Sequence, residues 1–267
     1  MKWRPIAGIV LRQVYLLRGS PVRVFPMVTW VAIDVVLWGF ITRYLNTVSG
    51  AGMDFVPTLL GGVLLWDFCT RIMQGVTTAF LEDVWSRNFL NLFASPLSIS
   101  EYISGLVITS VVTSSVGVVV MVLLATGIFH LQFFSLGLPL IAFLMVLFVF
   151  GISLGIFATG IVLRLGPASE WLLWPLPALL SPFAAVFYPL STLPHWMQWV
   201  SHALPPAYVF EGMRSLLAGR PFPGVLLSQG TAIALLELLL AGYFYGRVYR
   251  HAVRTGLLAR YSAESAA

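Results

Sequence analysis

The stretch from Leu136 to Leu163 reads LGLPLIAFLMVLFVFGISLGIFATGIVL. It contains no charged residue, and its polar side chains are one serine and one threonine. The hydrocarbon core of a bilayer is about 30 Å thick and is crossed by about 20 apolar residues in a helix. This stretch therefore predicts a transmembrane helix that is long enough to tilt within the lipid or to project beyond it.

The whole chain has the composition of an integral membrane protein. Of its 267 residues, 59% are hydrophobic and 9% are charged, whereas a soluble domain carries roughly 25% charged residues. Helices are expected throughout, because hydrocarbon offers the backbone no hydrogen-bond partners. We predict an all-α integral membrane protein with six transmembrane helices: Val24–Tyr44, Val56–Phe80, Ile99–Phe129, Leu136–Leu163, Trp171–Tyr188 and Val225–Tyr245.

The N-terminal residues 1–23 are basic and amphipathic, with positive charges too dispersed for a cleaved signal peptide. The pattern favours a helix lying on the membrane surface, and an unstructured basic tail is the alternative. Residues 24–267 then form the transmembrane domain. Within that domain Cys69 is the only cysteine, which excludes an intrachain disulfide and suggests a small packing residue.

The fifteen basic residues predict the orientation of the chain. With six spans and a cytoplasmic N-terminus, eleven of them fall on the cytoplasmic side, three fall outside and Arg71 lies within a span. Cytoplasmic loops carry an excess of Lys and Arg, so both termini, including the tail 247–267, are expected in the cytoplasm. The net charge of +5 then reflects topology and contact with anionic lipid, and it gives no indication of nucleic-acid binding.

The first cytoplasmic loop in this orientation is residues 81–98, LEDVWSRNFLNLFASPLS. Its apolar residues recur three and four apart, which predicts an amphipathic helix over 82–95, and Pro96 ends it. Asp83 and Arg87 are four apart and can pair. The helix either lies in the headgroups or forms a docking surface for a cytoplasmic partner. The candidate docking residues are Glu82, Asp83, Trp85, Arg87, Asn88, Phe89 and Asn91.

Between the last two spans the chain is apolar but broken by prolines. Proline suits the first turn of a helix and Gly219 suits the end of one, which predicts two short helices, about 194–202 and 207–218. Each is too short to span and is expected to be re-entrant or interfacial, either as a simple aromatic anchor or with a further role. His195 and His202 are too few to hold a metal, which usually needs three or four ligands. The candidate residues of this outer segment are Pro194, Trp196, Trp199, Pro205, Pro206, Tyr208, Glu211 and Arg214.

Four charged residues lie well away from the ends of the predicted spans. A charged side chain at that depth is costly and usually has a functional role. Asp67 and Arg71 are four residues apart, so they can pair on one helix face. Asp34 has no such partner in its own helix, and it either meets Arg71 across helices or faces a polar path. Glu237 lies near the middle of the last span.

Two segments together resemble the permease subunits of the ABC-2 type exporter family. EDVWSRNFLNLFASPLSISEYISG (82–105) is similar to the segment with that family's coupling helix. FYPLSTLPHWMQWVSHALPPAYVFEGMRSLLAG (187–219) resembles its signature region. The resemblance implies a cytoplasmic coupling helix that docks an ATPase, and two outer helices over 194–219 that act as the exit gate of the path. It also implies that spans one, two and five line the route.

The resemblance implies a complex in the bacterial inner membrane, with two ABC ATPase subunits and either two copies of this permease or this chain and a relative. A Walker A loop needs a lysine in GxxxxGK[ST], and the only lysine here is Lys2. ATP and Mg²⁺ are therefore expected on the partner ATPase, with no cofactor on this chain.

The expected function is the permease of an ATP-driven exporter that moves a drug, a lipid-like amphiphile or a glycan. The alternative is an ion-gradient-driven secondary transporter in which Asp34, Asp67 and Glu237 carry protons. A membrane enzyme ranks last, because no carboxylate pair, histidine cluster or activated nucleophile shares a face.

Overall fold

The structure is a computed structural model that describes residues 3–49, 56–86, 92, 95–131 and 137–256. Over these residues the chain is helical and contains no β-strand. A π-helical turn, Val56–Leu60, precedes the third helix. The α-helices are α1 (Trp3–Gly19), α2 (Pro21–Ser49), α3 (Gly61–Trp85), α4 (Ile99–Phe129), α5 (Leu138–Leu165), α6 (Leu176–Leu180), α7 (His195–His202), α8 (Pro205–Leu217) and α9 (Gly224–Arg254).

Within the described residues, four helices are long and apolar enough to cross a membrane: the Val28–Val48 part of α2, and the whole of α4, α5 and α9. They correspond to the first, third, fourth and sixth predicted spans. Helix α3 has 25 residues, which at 1.5 Å per residue gives about 38 Å, enough to cross a bilayer. Asp67, Arg71 and Gln74 interrupt its apolar residues, so its crossing stays a prediction.

The predicted fifth span, Trp171–Tyr188, is not a single helix, and the prediction is wrong on this point. The region contains a 3₁₀ helix, Pro167–Leu172, the five-residue helix α6, and turns. The physical reason is the spacing of Pro175, Pro177 and Pro182. Each proline lacks a backbone N–H and fixes its own φ angle, so a regular helix cannot continue through all three.

Helix α5 occupies the centre of the molecule and packs against both α3 and α9. Its contact with α3 depends on glycine. A Cβ atom on Gly151 would lie 2.7 Å from the carbonyl oxygen of Cys69, and one on Gly155 would lie 2.8 Å from Cβ of Val76. Within a membrane the hydrophobic effect does not drive helices together, because lipid tails are as apolar as the helix surfaces. Helices there commonly associate through small residues, which let their backbones approach closely.

Helix α1 confirms that the N-terminal segment is helical. Ile6, Ile9 and Gln13 are buried on one face, and a Cβ atom on Gly105 of α4 would lie 2.8 Å from a methyl group of Ile9. The helix is therefore packed on the rest of the protein along that face. At the other end of the chain, α9 continues to Arg254, so residues 247–254 of the predicted cytoplasmic tail extend the helix of the last predicted span.

Candidate functional site

The last turn of α3 contains the first residues of the predicted coupling helix. Glu82–Trp85 continue α3 without a break, and the backbone N–H of Ser86 bonds the carbonyl oxygen of Glu82. The predicted helix start at Glu82 is therefore wrong. The reason is packing: Leu81 and Val84 are buried with the core of α3, α4 and α5, which extends the apolar period of α3 past the predicted end of the span. Arg87, Asn88, Phe89 and Asn91 lie outside the described residues.

Asp83 is fully enclosed at this end of α3, with 1% of its side chain exposed. One carboxylate oxygen pairs with the guanidinium of Arg12 on α1, and the other accepts a hydrogen bond from the hydroxyl of Tyr102 on α4 at 2.8 Å. Burial raises the pKa of the Asp83 carboxyl, while Arg12 and the hydrogen bond from Tyr102 lower it. Asp83 thus joins three helices, and its burial removes it from any surface that a docking partner could touch.

Trp85 lies two residues beyond Asp83. Its side chain is exposed, so it is better placed than Asp83 to contact a partner. Its indole Nε1–H donates to the Glu170 carboxylate at 2.6 Å. Glu170 belongs to the 3₁₀ helix that begins the broken fifth segment. The end of α3 is therefore linked to that segment as well as to α1 and α4.

Three of the charged residues within the predicted spans, Asp34, Asp67 and Arg71, form one cluster on α2 and α3. Nε of Arg71 lies 2.6 Å from Asp67, which confirms the predicted pairing, and its Nη2 lies 4.0 Å from Asp34. The hydroxyl of Ser114 on α4 donates to the backbone carbonyl of Arg71 at 3.1 Å. Asp34 thus meets Arg71 across helices, which was one of the two alternatives for it, while Asp67 holds the closer position.

A cavity of about 1220 Å³ lies beside this cluster. Asp34, Asp67 and Arg71 line it, so Asp34 also borders an open space, and the polar path proposed for it stays a prediction. Residues from α1 and from the last turn of α3 line it too, including Arg12 and Asp83. The ionic cluster and the end of α3 therefore border the same space.

Glu237 on α9 is separate from this cavity and is not one of its lining residues. Its Oε2 is buried and has no hydrogen-bond partner within the described part of the chain. The three carboxylates of the proton-carrier alternative are consequently not brought together, since only Asp34 and Asp67 share the cavity.

The outer segment forms the two short helices that its prolines predict. Pro194 immediately precedes α7, and Pro205 and Pro206 form the first turn of α8. Gly219 follows α8 with a φ angle of +71°, a left-handed conformation that glycine adopts without strain. Trp196 and Trp199 are exposed on α7. The hydroxyl of Tyr208, whose pKa is raised by desolvation, donates to the carbonyl of His202 at 2.9 Å and ties α8 to the end of α7.

Glu211 and Arg214 of α8 hold the turn that leads out of the broken fifth segment. Glu211 accepts hydrogen bonds from the backbone N–H of Leu190 at 2.5 Å and from Arg214 at 3.2 Å. Arg214 also donates to the carbonyl of Ala185 at 2.7 Å. Ala185 has a φ angle of +54°, which is unusual for a residue with a side chain, and this bond helps to stabilise that conformation.

The sequence matches a known family of membrane transporters over most of its length. The family model for ABC-2 type transporters matches residues 20–218, which is most of the chain. This chain belongs to the ABC-2 type transporter family. It is therefore a multi-pass membrane protein and a permease of an ABC-type transporter, and the family implies association with an ABC ATPase subunit. No curated protein matches the sequence significantly.

In this ABC-2 permease, sequence patterns missed several residues that complete the site. Arg12 was interpreted as one of many basic residues at the membrane surface, and Tyr102 as part of an apolar span. Glu170 had no assigned role, although it is one of only ten acidic residues in the chain. That scarcity was the available signal, because in a chain this apolar each acidic residue needs a specific partner or a contact with water.

Proposed function

We propose that this chain is the transmembrane subunit of an ATP-driven exporter whose ATPase docks on the segment following Asp83. In this proposal α3 is the second of six spans and the irregular stretch 167–188 is the fifth. Both termini then face the cytoplasm of a bacterial cell. The complex contains two ATPase subunits and two permeases, either two copies of this chain or this chain and a relative.

The observation that carries this proposal is the continuity of α3 between the ionic cluster and the predicted docking segment. Asp67 and Asp83 are sixteen residues apart in one unbroken helix, a distance of about 24 Å at 1.5 Å per residue. A displacement at the end of α3 is transmitted along a rigid rod to the walls of the cavity. Because Asp83 is bonded to Arg12 and Tyr102, the same displacement also moves α1 and α4.

The position of the cavity supports transport out of the cell. Its lining extends from Asp34, about halfway along the first predicted span, to Trp85 at the predicted cytoplasmic end of α3. A substrate in this space is reached from the cytoplasm or from the inner leaflet. The two outer helices α7 and α8 lie on the opposite side in the predicted topology, where they cover the exit. A permease that takes up its substrate from the inside and releases it to the outside is an exporter.

A crosslinking experiment tests the docking site. Cys69 is the only cysteine and is buried, so C69A provides a background without accessible thiols. In this background N88C places a thiol on the predicted docking segment, and W199C places one on the exposed face of α7 as the matched control. Each purified complex is labelled with a maleimide that carries a photoactivated crosslinker.

We expect N88C, and not W199C, to crosslink to a protein with a Walker A motif that co-purifies with the chain. An ATPase captured through W199C but not N88C would refute the docking assignment. Labelling intact cells with a membrane-impermeant maleimide separately tests the topology: W199C is expected to react and N88C to be protected.

A further inference from the structure

The cavity between α1, α2, α3 and α4 has an excess of negative formal charge. Four carboxylates and two guanidinium groups line it, which leaves two negative charges in excess: Asp34, Asp67, Glu82 and Asp83 against Arg12 and Arg71. A charge excess in a space with low-dielectric walls attracts counter-ions. The cavity therefore favours cationic contents over anionic ones.

Asp34 is the most exposed of the three carboxylates that pair with these arginines. Its side chain is 39% exposed, compared with 15% for Asp67 and 1% for Asp83. Arg71 lies 2.6 Å from Asp67 but 4.0 Å from Asp34, so the single guanidinium neutralises Asp67 first. Asp34 keeps open space on its cavity side.

Two buried polar groups in the cavity wall independently indicate a ligand. Gln13 of α1 is 3% exposed and Thr109 of α4 is 4% exposed, and both line the cavity. Gln13 Nε2 and Thr109 Oγ1 have no hydrogen-bond partner within the described residues. Buried polar atoms are nearly always hydrogen-bonded, so an occupant with polar groups accounts for these two better than an apolar one does.

Aromatic rings and cavity size complete the description of the occupant. Trp30, Trp85 and Trp174 line the same cavity, and an indole ring attracts a cation over its face. The volume of about 1220 Å³ is slightly above the roughly 300–1,000 Å³ of sites for drug-sized molecules. The walls thus combine apolar surface, indole rings and surplus carboxylate.

We propose that this cavity binds an amphiphilic organic cation, with Asp34 facing the positive charge and the tryptophan rings contacting the apolar body. This inference rests on the proposed export function and specifies its substrate class. Among the three substrate types that the sequence leaves open, it disfavours anionic lipids and phosphate-bearing glycans, because the surplus carboxylates would repel their negative charge.

The test is binding to the full-length chain in nanodiscs of neutral phosphatidylcholine, with no ATPase present. The probes are tetraphenylphosphonium and tetraphenylborate, which have nearly the same shape and opposite charge, and binding to empty nanodiscs is subtracted. The variants are D34N, which removes the charge at constant size, and E237Q, which removes an intramembrane carboxylate outside the cavity.

We expect saturable binding of tetraphenylphosphonium, with tetraphenylborate bound at least about tenfold more weakly. D34N is expected to lower the affinity for the cation about tenfold, and E237Q to leave it unchanged. Equal binding of the two ions by the unaltered chain would overturn the proposal. Unchanged affinity of D34N for tetraphenylphosphonium would also overturn it. The binding test contains no ATPase, so a negative result concerns only the substrate class. The export proposal is tested separately, by crosslinking to the Walker A protein.

Discussion

Arg12 on the N-terminal helix neutralises Asp83, a carboxylate buried at the far end of α3 and seventy-one residues away in sequence. The pair joins a helix that the sequence assigns to the membrane surface to the helix that leads into the predicted docking segment. Tyr102 bonds the second carboxylate oxygen, so α4 shares the same junction. Force applied after Asp83 therefore reaches three helices at one point.

Removing Arg12 is expected to cost more stability than removing the charge it neutralises. R12Q leaves a buried carboxylate without its cation, with an expected loss of about 2–4 kcal/mol in the free energy of unfolding. D83N keeps an acceptor for Tyr102, while Arg12 is partly exposed and can turn to solvent, so we expect a loss under about 1 kcal/mol. Unfolding in mixtures of mild detergent and SDS measures both.

The double variant R12Q/D83N is expected to resemble D83N, so the coupling free energy between the two sites should match the R12Q loss of about 2–4 kcal/mol. R18Q, which changes an exposed arginine on the same helix, is the matched control and is expected to have no measurable effect. If the stability losses of R12Q and D83N simply add in the double variant, the two side chains do not interact.

The ionic cluster on α2 and α3 predicts an order of effects. R71Q leaves two carboxylates near each other without a cation and is expected to destabilise by about 2–4 kcal/mol. D67N is expected to cost about 1–2 kcal/mol, because Arg71 still has Asp34 at 4.0 Å. D34N is expected to cost least. Combining D67N with R71Q should cost less than the sum of the two, and an additive result in this double-mutant cycle would contradict the pairing.

The contact of Glu211 with the turn at Leu190 predicts a local change in hydrogen exchange. E211A removes the acceptor of the Leu190 N–H and of Arg214, and we expect exchange of the Leu190 amide to rise about tenfold or more, equivalent to about 1.4 kcal/mol. E211Q keeps a carbonyl oxygen that can accept from Leu190, so its effect should be smaller. S228A, which removes an exposed hydroxyl bonded to Val225, is the control. Equal exchange in E211A and E211Q would show that the acceptor is not the cause.

Sequence patterns predicted those features that depend on neighbours along the chain. The Ile99–Phe129 helix has the predicted limits, and its start carries a capping box between Ser98 and Glu101. The i,i+4 spacing of Asp67 and Arg71 predicted their pairing, and prolines predicted the starts of α7 and α8. In each case the relevant physics is contained within one or two helical turns.

Contacts between distant segments could not be predicted in the same way. Arg12 and Asp83, or Trp85 and Glu170, come together only because particular helix faces pack, and no local pattern specifies which faces meet. The fifth span was misjudged for a different reason. Hydropathy measures the transfer of side chains into lipid, whereas the helix is broken by missing backbone donors at Pro175, Pro177 and Pro182.

Gly75 is expected to be irreplaceable because α3 and α4 touch there. A Cβ atom at this position would lie 2.4 Å from Oγ of Ser110 and 2.9 Å from its Cα. The hydroxyl of Ser110 is itself bonded to the carbonyl of Ile72 at 2.6 Å. Rotating the serine side chain leaves the backbone clash in place, so G75A must separate the two helices at a cost of about 1–3 kcal/mol.

The matched control for this substitution is G242A in α9, where an added Cβ meets nothing within 4 Å. Alanine is favoured over glycine in a helix by roughly 1 kcal/mol, so G242A is expected to be neutral or slightly stabilising in the same SDS titration. Helices α3 and α4 also form two walls of the cavity, since Gly75 and Thr109 both line it. Their separation in G75A should therefore weaken tetraphenylphosphonium binding in parallel with stability, whereas unaltered stability in G75A would mean that the two helices are not in contact at this point.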